Sequence, residues 1–278
     1  LRAGTFQGKP RTQAQVAISP SGADSPCFLL NASPDLRQQI LENPEFAPAG
    51  ELRSTPIQGI FLTSADVDCV MGLLHLREFQ PLTIYSTESV RRAVTQENSL
   101  FRTLERSNPP VHWETLHIGK VCELDGGFAC TAVPLGGAFP DYVSAALRKD
   151  LADNEAAVAL EIAQGGKKVF YAPGLPGRSE EWKRVAGDSD LALLDGTFWT
   201  DDELVRLRGS GKSAREMGHL PLSGAHGLLE QMRGRDNPRR VLIHLNNTNP
   251  VLDEGSAEWR AVREEGWEVA YDGMEIGL

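Results

Sequence analysis

Acidic, imidazole and thiol side chains interrupt apolar runs at several points of this chain. IFLT runs into Ser64-Ala65-Asp66-Val67-Asp68-Cys69, LALL ends at Asp195-Gly196-Thr197, and VLI ends at His244. His244 is followed closely by Asn246-Asn247-Thr248-Asn249-Pro250, and a further histidine, His219, lies in MGHLPLSG. Carboxylate, imidazole and thiolate are the side chains that ligate transition metals. Groups at the ends of buried strands tend to be aimed into one crevice. The chemistry expected of such a set is metal binding and metal-assisted catalysis. Each residue alone also has a structural use. Asp66 or Asp68 can cap a helix, Cys69 can be a small core residue, His244 can be a hydrogen-bonded buried histidine, and the asparagines can form a turn. The joint occurrence carries the functional reading. His75, His112, His117 and His226 are assigned to structure or surface.

Short apolar strands alternating with helices must position these groups. QVAIS (15–19), CFLLNAS (27–33), IQGIFLT (57–63) and LTIYS (82–86) read as strands. A helix follows Ser33-Pro34-Asp35, another follows Cys69, and a short one follows LTIYS. Ser107-Asn108-Pro109-Pro110 reads as a turn. The stretch 112–134 is strand-rich. AAVALEIA (156–163) and KKVFYAP (167–173) bracket Gly165-Gly166, a hairpin signature. LALLDGT, RRVLIHL and WEVAYDG are three more buried-type strands, the last two preceded by helices. Hairpins mixed with βα units predict mixed sheets, two of them, with helices outside.

The bulk numbers narrow the function classes. The 278 residues carry a net charge of -10, which disfavours general nucleic-acid binding. Neither an apolar run of membrane-spanning length nor a secretion leader is evident, so a cytoplasmic protein with no membrane partner is expected. The four cysteines, Cys27, Cys69, Cys122 and Cys130, form no CxxC pair, which fits a reducing compartment. A start at Leu1 rather than Met suggests a processed or truncated product. A homodimer is left open.

Strand, ligand-rich loop and glycine- and leucine-bearing helix resemble the metallo-β-lactamase superfamily, whose usual loop is His-X-His-X-Asp-His. Here those positions hold Ser64, Asp66, Asp68 and Cys69. Further along, RTQAQVAIS, LLNASPDLRQQI, LREFQPLTIYST, VFYAPGL, LLDGTFWTDDE, MGHLPLSG, LIHLNNTNPVLDE and VAYDGMEI together resemble the coenzyme PQQ synthesis protein B family over nearly the whole length. The resemblance implies an α/β fold: a single αββα sandwich over 1–278, with two mixed sheets, helices outside and a metal at one edge. Family members begin with a further strand and a cysteine zinc knuckle, so the structural zinc is expected to be absent here. Pro173-Gly174 stands where hydrolytic relatives carry a bridging aspartate. What the resemblance then implies is one divalent ion, iron or zinc, held by Asp68, Cys69 and His244. Asp66, Asp195, Thr197 and His219 are the catalytic or orienting groups, and Asn246, Asn247 and Asn249 bind substrate. The substrate would be a small or peptide-derived precursor of pyrroloquinoline quinone (PQQ), a crosslinked glutamate–tyrosine unit that is oxidised or carried. A metal-dependent hydrolase and a non-catalytic binding protein are the rival readings.

Overall fold

The computed structural model describes residues 6–20, 27–46, 55–76, 81–106, 111–177, 179–209, 211–234 and 238–278. They divide into two units: Thr12–Val158, and Leu1–Arg11 together with Ala159–Leu278. The turn expected at 107–110 lies outside the described residues.

In the Thr12–Val158 unit, β1 (Val16–Ile18), β2 (Cys27–Leu30), β3 (Ile57–Phe61), β4 (Thr83–Ser86) and β5 (His112–Thr115) form a five-stranded sheet in that order. β1 is antiparallel to β2 and the remaining pairs are parallel, so the sheet is mixed. The CFLL of β2 is buried along its whole length, as a strand covered on both faces must be. Helices α1 (Leu36–Glu42), α2 (Val67–Val70) and α3 (Glu88–Glu97) follow β2, β3 and β4. The hairpin of β6 (Val121–Glu123) and β7 (Ala129–Pro134) and the short α4 (Ala145–Arg148) come after them. α3 and α4 start at hydroxyl caps: Thr87 accepts from the Val90 N–H and Ser144 from the Leu147 N–H. Each such cap contributes about 1 kcal/mol.

The helix expected after Cys69 begins three residues earlier, at Val67, and holds α geometry only to Val70. Met71–Leu76 continues as a tighter 3-10 helix. Gly72 explains the change. Its N–H donates to the Ala32 carbonyl at 2.8 Å, and a Cβ there would sit 2.3 Å from the Ser33 oxygen. The helix is pressed against the chain leaving β2.

In the second unit, β8 (Val158–Gln164), β9 (Lys167–Ala172), β10 (Leu191–Asp195), β11 (Arg239–Ile243) and β12 (Trp267–Val269) lie side by side in sequence order. β8 and β9 form the expected hairpin, and β9 to β12 are parallel. Gly165 (φ 58°) and Gly166 (φ 82°) are both left-handed, which a two-residue turn matching the strand twist requires. Helices α5 (Glu181–Gly187), α6 (Glu203–Arg208), α7 (Leu228–Gln231) and α8 (Ala257–Glu264) complete this unit. Among the described residues no helix is long and apolar enough to cross a membrane.

Candidate metal centre

The parallel register of β10 and β11 pairs Asp195 with Ile243. Asp195 therefore ends one strand where the next strand runs into His244. The Gly196 N–H bonds to the Ile243 carbonyl at 2.7 Å, and a Cβ on Gly196 would come within 3.0 Å of that oxygen. His244 itself holds a left-handed φ of 54°. A non-glycine residue in that region costs about 1–3 kcal/mol and tends to mark a site held by its surroundings. His219 arrives from a separate loop, after a 3-10 turn (Arg215–Met217) closed by left-handed Gly218. That loop is tied down by Leu220 N–H bonding to the Leu175 carbonyl at 2.7 Å.

Asp195 is fully buried and its carboxylate is saturated. One oxygen, Oδ1, accepts from the Thr197 N–H at 3.1 Å and the Thr197 hydroxyl at 2.5 Å. The other, Oδ2, accepts from the Leu175 N–H at 3.0 Å and lies 2.8 Å from His219 Nδ1. Burial alone would push this acid's pKa up. The attraction and hydrogen bonds of His219, then His244, outweigh it and hold the carboxyl ionised, well below the usual carboxylate range. The Thr197 oxygen lies 2.8 Å from His244 Nδ1. A hydroxyl has one proton to give, and the charged oxygen at 2.5 Å is the stronger acceptor. With the Thr197 proton on Asp195, His244 Nδ1–H donates to Thr197 and His219 Nδ1–H donates to Asp195. Both imidazoles then carry their proton on Nδ1 and leave Nε2 as a lone pair, the form in which histidine binds a metal. The two rings stack 5.4 Å apart at 28°, and Phe198 meets His219 edge-on at 5.7 Å. Their side chains keep 18% and 21% of their surface exposed, so the pair can be reached by a ligand.

Among the described residues, Asp195, His219 and His244 form the group of three whose ligating atoms lie within 4.8 Å of one another. The hydrogen-bond count refines that grouping. Asp195 has no lone-pair direction to spare, so the histidines fit as ligands and Asp195 with Thr197 as the groups that orient them. Nitrogen donors of this kind suit zinc or iron.

The Ser64–Cys69 loop belongs to the Thr12–Val158 unit and has its own internal partners. Asp66 occupies the N-cap position of α2 without making the capping bond; its carboxylate instead accepts from the Ser64 hydroxyl at 2.7 Å. Asp68 stands in the first turn of that helix. Cys69 is buried, 3.4 Å from Ser64 Oγ and 3.9 Å from Thr63 Oγ1. Burial, reinforced by Asp68 and Asp66, pushes its thiol pKa well up. The free thiol is protonated at neutral pH, and ligation would require that proton to leave.

The three asparagines have different surroundings. Asn249 is buried, and its amide donates to the Gly196 and Thr197 carbonyls at 2.7 and 3.4 Å. Its oxygen accepts from the Val251 N–H at 3.0 Å. Asn249 therefore holds the β10 and β11 loops together and is buried away from the surface. Asn246 donates to the Thr248 hydroxyl at 2.7 Å, and Asn247 is exposed. Glu203 went unremarked in the sequence because TDDELVRLR looks like an ordinary acidic helix start. In the fold it is buried, with one oxygen accepting from Trp199 N–H and the other from Thr248.

Residues 27–245 match the family model described as the β-lactamase superfamily domain. Coenzyme PQQ synthesis protein B of Nitrosococcus oceani is 40% identical over 287 residues, covering all of this chain and 92% of that protein. Its counterpart in Azotobacter vinelandii is also 40% identical, covering 100% and 91%. The chain belongs to the coenzyme PQQ synthesis protein B family. A solved structure described as zinc-bound PqqB from Methylobacterium extorquens superposes with a TM-score of 0.90 at 37% identity, covering 100% of this chain and 91% of that one. A diphosphatase of the PhnP family shares the fold, with a TM-score of 0.67 at 14% identity. The fold of this family member is accordingly the metallo-β-lactamase fold, two mixed sheets with flanking helices.

Proposed function

We propose that the protein acts in PQQ synthesis, as a metal-dependent oxidoreductase on the tyrosine ring of the crosslinked glutamate–tyrosine precursor. The observation that carries this reading is the pair of imidazoles whose Nδ1 atoms are committed to Asp195 and Thr197. Two lone-pair nitrogens presented together, in a chain 40% identical to coenzyme PQQ synthesis protein B, support a bound metal ion. The relative from Methylobacterium extorquens was solved with zinc, and the same donors also suit iron. When bound, a divalent ion supplies Lewis acidity and, for iron, dioxygen chemistry. The chain's own residues do the rest. Asp195 and Thr197 fix both ring orientations and keep a proton on each Nδ1. Phe198 limits how far the His219 ring can swing. Asn246 and Asn247 remain the asparagines available to the precursor.

The test loads the protein anaerobically with zinc or ferrous iron and counts metal in the parent, His219→Ala and His244→Ala. Asp68→Ala and Cys69→Ser run beside them to test the sequence-based ligand set. Oxygen uptake with the crosslinked precursor follows. The expected result is metal retention by the parent, loss in both histidine variants, and iron-dependent oxygen uptake. Precursor binding with no oxygen uptake would turn the reading towards a carrier. Equal metal content in the parent and His244→Ala would remove the metal from it.

A further inference from the structure

A buried carboxylate is costly unless it is fully hydrogen-bonded, so one that caps nothing unusual raises the question of what it sets. Glu203 stands in the first turn of α6 and is only 6% exposed. An ionised carboxylate can only accept. The Trp199 N–H must therefore point at one of its oxygens (2.7 Å), and the Thr248 hydroxyl must give its single proton to the other (2.5 Å). With its proton spent, Thr248 Oγ1 can only accept from its remaining neighbour. That neighbour is Asn246 Nδ2, at 2.7 Å. The chain of bonds thus runs one way, from Asn246 through Thr248 to Glu203, and the amide of Asn246 cannot flip.

The same three residues hold the loop that carries His244. Asn246 also donates its backbone N–H to the Thr197 carbonyl at 3.1 Å, and Thr197 is the residue on which His244 Nδ1 rests. His244 is two residues from Asn246 and occupies a strained left-handed backbone (φ 54°). Such a residue relaxes unless the loop is pinned on both sides. On the strand side it is pinned by the Gly196–Ile243 bond. On the far side, the Asn246 link to Thr197 and the Glu203 chain do the pinning, with Asn249 beyond them.

From this we infer that Glu203, acting through Thr248 and Asn246, is a positioning residue for the His244 imidazole. The inference rests on the reading that His244 is a metal ligand. Glu203 touches neither metal nor substrate. Its acceptor-only chemistry makes the bond chain unidirectional and so keeps the loop in one arrangement. A glutamine at 203 has the same shape but can donate from its nitrogen. The Thr248 hydroxyl could then turn round, the Asn246 amide could flip, and the loop would have two arrangements to choose between.

The experiment uses zinc alone as the probe, with affinity read by competition against a chromophoric chelator. Cobalt loading adds the visible absorption bands as a readout of ligand geometry. The variants are Glu203→Gln, Thr248→Val, Thr248→Ser and His244→Ala. Groups that orient a metal ligand contribute about 10- to 100-fold to metal affinity, and one further removed should sit at the low end. Glu203→Gln and Thr248→Val are each expected to weaken zinc binding by about tenfold and to shift the cobalt bands. Thr248→Ser restores the hydroxyl and should bind as the parent does. Valine is close to threonine in shape, so Thr248→Val keeps the test available if Glu203→Gln folds poorly. If His244→Ala loses zinc while Glu203→Gln and Thr248→Val match the parent, the positioning role is wrong and the metal reading stands. If Thr248→Ser is as weak as Thr248→Val, the hydroxyl is not the link and the inference fails. If His244→Ala keeps the parent's zinc affinity, the metal reading fails and the inference with it. A lower melting temperature with unchanged zinc affinity and cobalt spectrum would reduce Glu203 to a structural residue.

Discussion

Two polar regions, one in each unit, solve the burial problem in opposite ways. At the ends of β10 and β11 a buried carboxylate faces two imidazoles, and the donors converging on its two oxygens hold the acid ionised. At the end of β3 a buried thiol sits among hydroxyls and carboxylates, and the same burial keeps it protonated. Both regions read alike in the sequence: an apolar strand stopping at acids and a potential ligand. The difference lies in what long-range partners each one finds. Asp195 draws a backbone N–H from Leu175, twenty positions earlier, and an imidazole from His219, twenty-four positions later. Cys69 finds Ser64 and Thr63, five and six positions away. Local partners satisfy a polar group; distant partners that converge from separate loops orient it.

The sharpest way to break the contrast is Asp195→Ala. It strands the Leu175 and Thr197 N–H groups and frees both imidazoles to rotate. Zinc affinity should fall by about 10- to 100-fold, and stability by about 2–6 kcal/mol at 1–3 kcal/mol per orphaned donor. Chelator competition and urea melts read the two effects, and unchanged zinc binding would show that the histidines orient themselves. Next comes the pairing of His244→Ala with Cys69→Ser. The histidine variant should lose zinc by more than about tenfold. The serine variant should lose less than about threefold while melting lower, because a buried hydroxyl costs more to desolvate than a buried thiol, by about 1–2 kcal/mol. Equal zinc losses would erase the contrast and place the thiol among the ligands.

A smaller effect separates two asparagines in one loop. Asn249→Ala should cost about 1–3 kcal/mol in a urea melt, since it leaves the Gly196 carbonyl and the Val251 N–H without the partners that Asn249 supplies. Asn247→Ala, at an exposed position, should stay within about 0.5 kcal/mol. Similar values for both would mean that the buried amide holds nothing. The mildest test concerns alkaline pH in the thiol-bearing unit. Burial, with help from Glu45, pushes the Cys27 thiol up to about 12. The unfolded chain releases that proton near its ordinary value, so Cys27 adds stability below that pH and loses it as pH rises towards 12. The melting temperature should drop less steeply above pH 9 in Cys27→Ala than in the parent, and parallel curves would rule out the thiol as the cause.

Much of the frame was legible in the residues. The alternation of β-prone runs and capped helices yields both mixed sheets, and Gly165-Gly166 marks the β8–β9 hairpin because only left-handed residues close it. Asp195, Thr197 and His244 stood out where an apolar run stopped, and His219 within MGHLPLSG. What the sequence could not assign was the direction of their bonds. That Asp195 orients and the histidines present lone pairs depends on counting acceptor positions, and one of the donors is a backbone N–H on an unremarkable leucine. The backbone role of Asn249 was hidden for the same reason: amides that bind ligands and amides that bind backbone share one residue type. The short, tightened helix after Cys69 was hidden because Gly72 meets the chain after β2, a contact forty residues away in sequence.

The left-handed backbone of His244 sets a conflict between durability and use. Glycine would occupy that φ of 54° without strain, so His244→Gly should relieve roughly 1–3 kcal/mol of backbone cost while deleting the imidazole. Selection of this protein for heat resistance alone would therefore drift towards losing the histidine. A laboratory evolution campaign would need a metal-dependent readout beside the thermal one, or it would arrive at a sturdier protein with an empty hand.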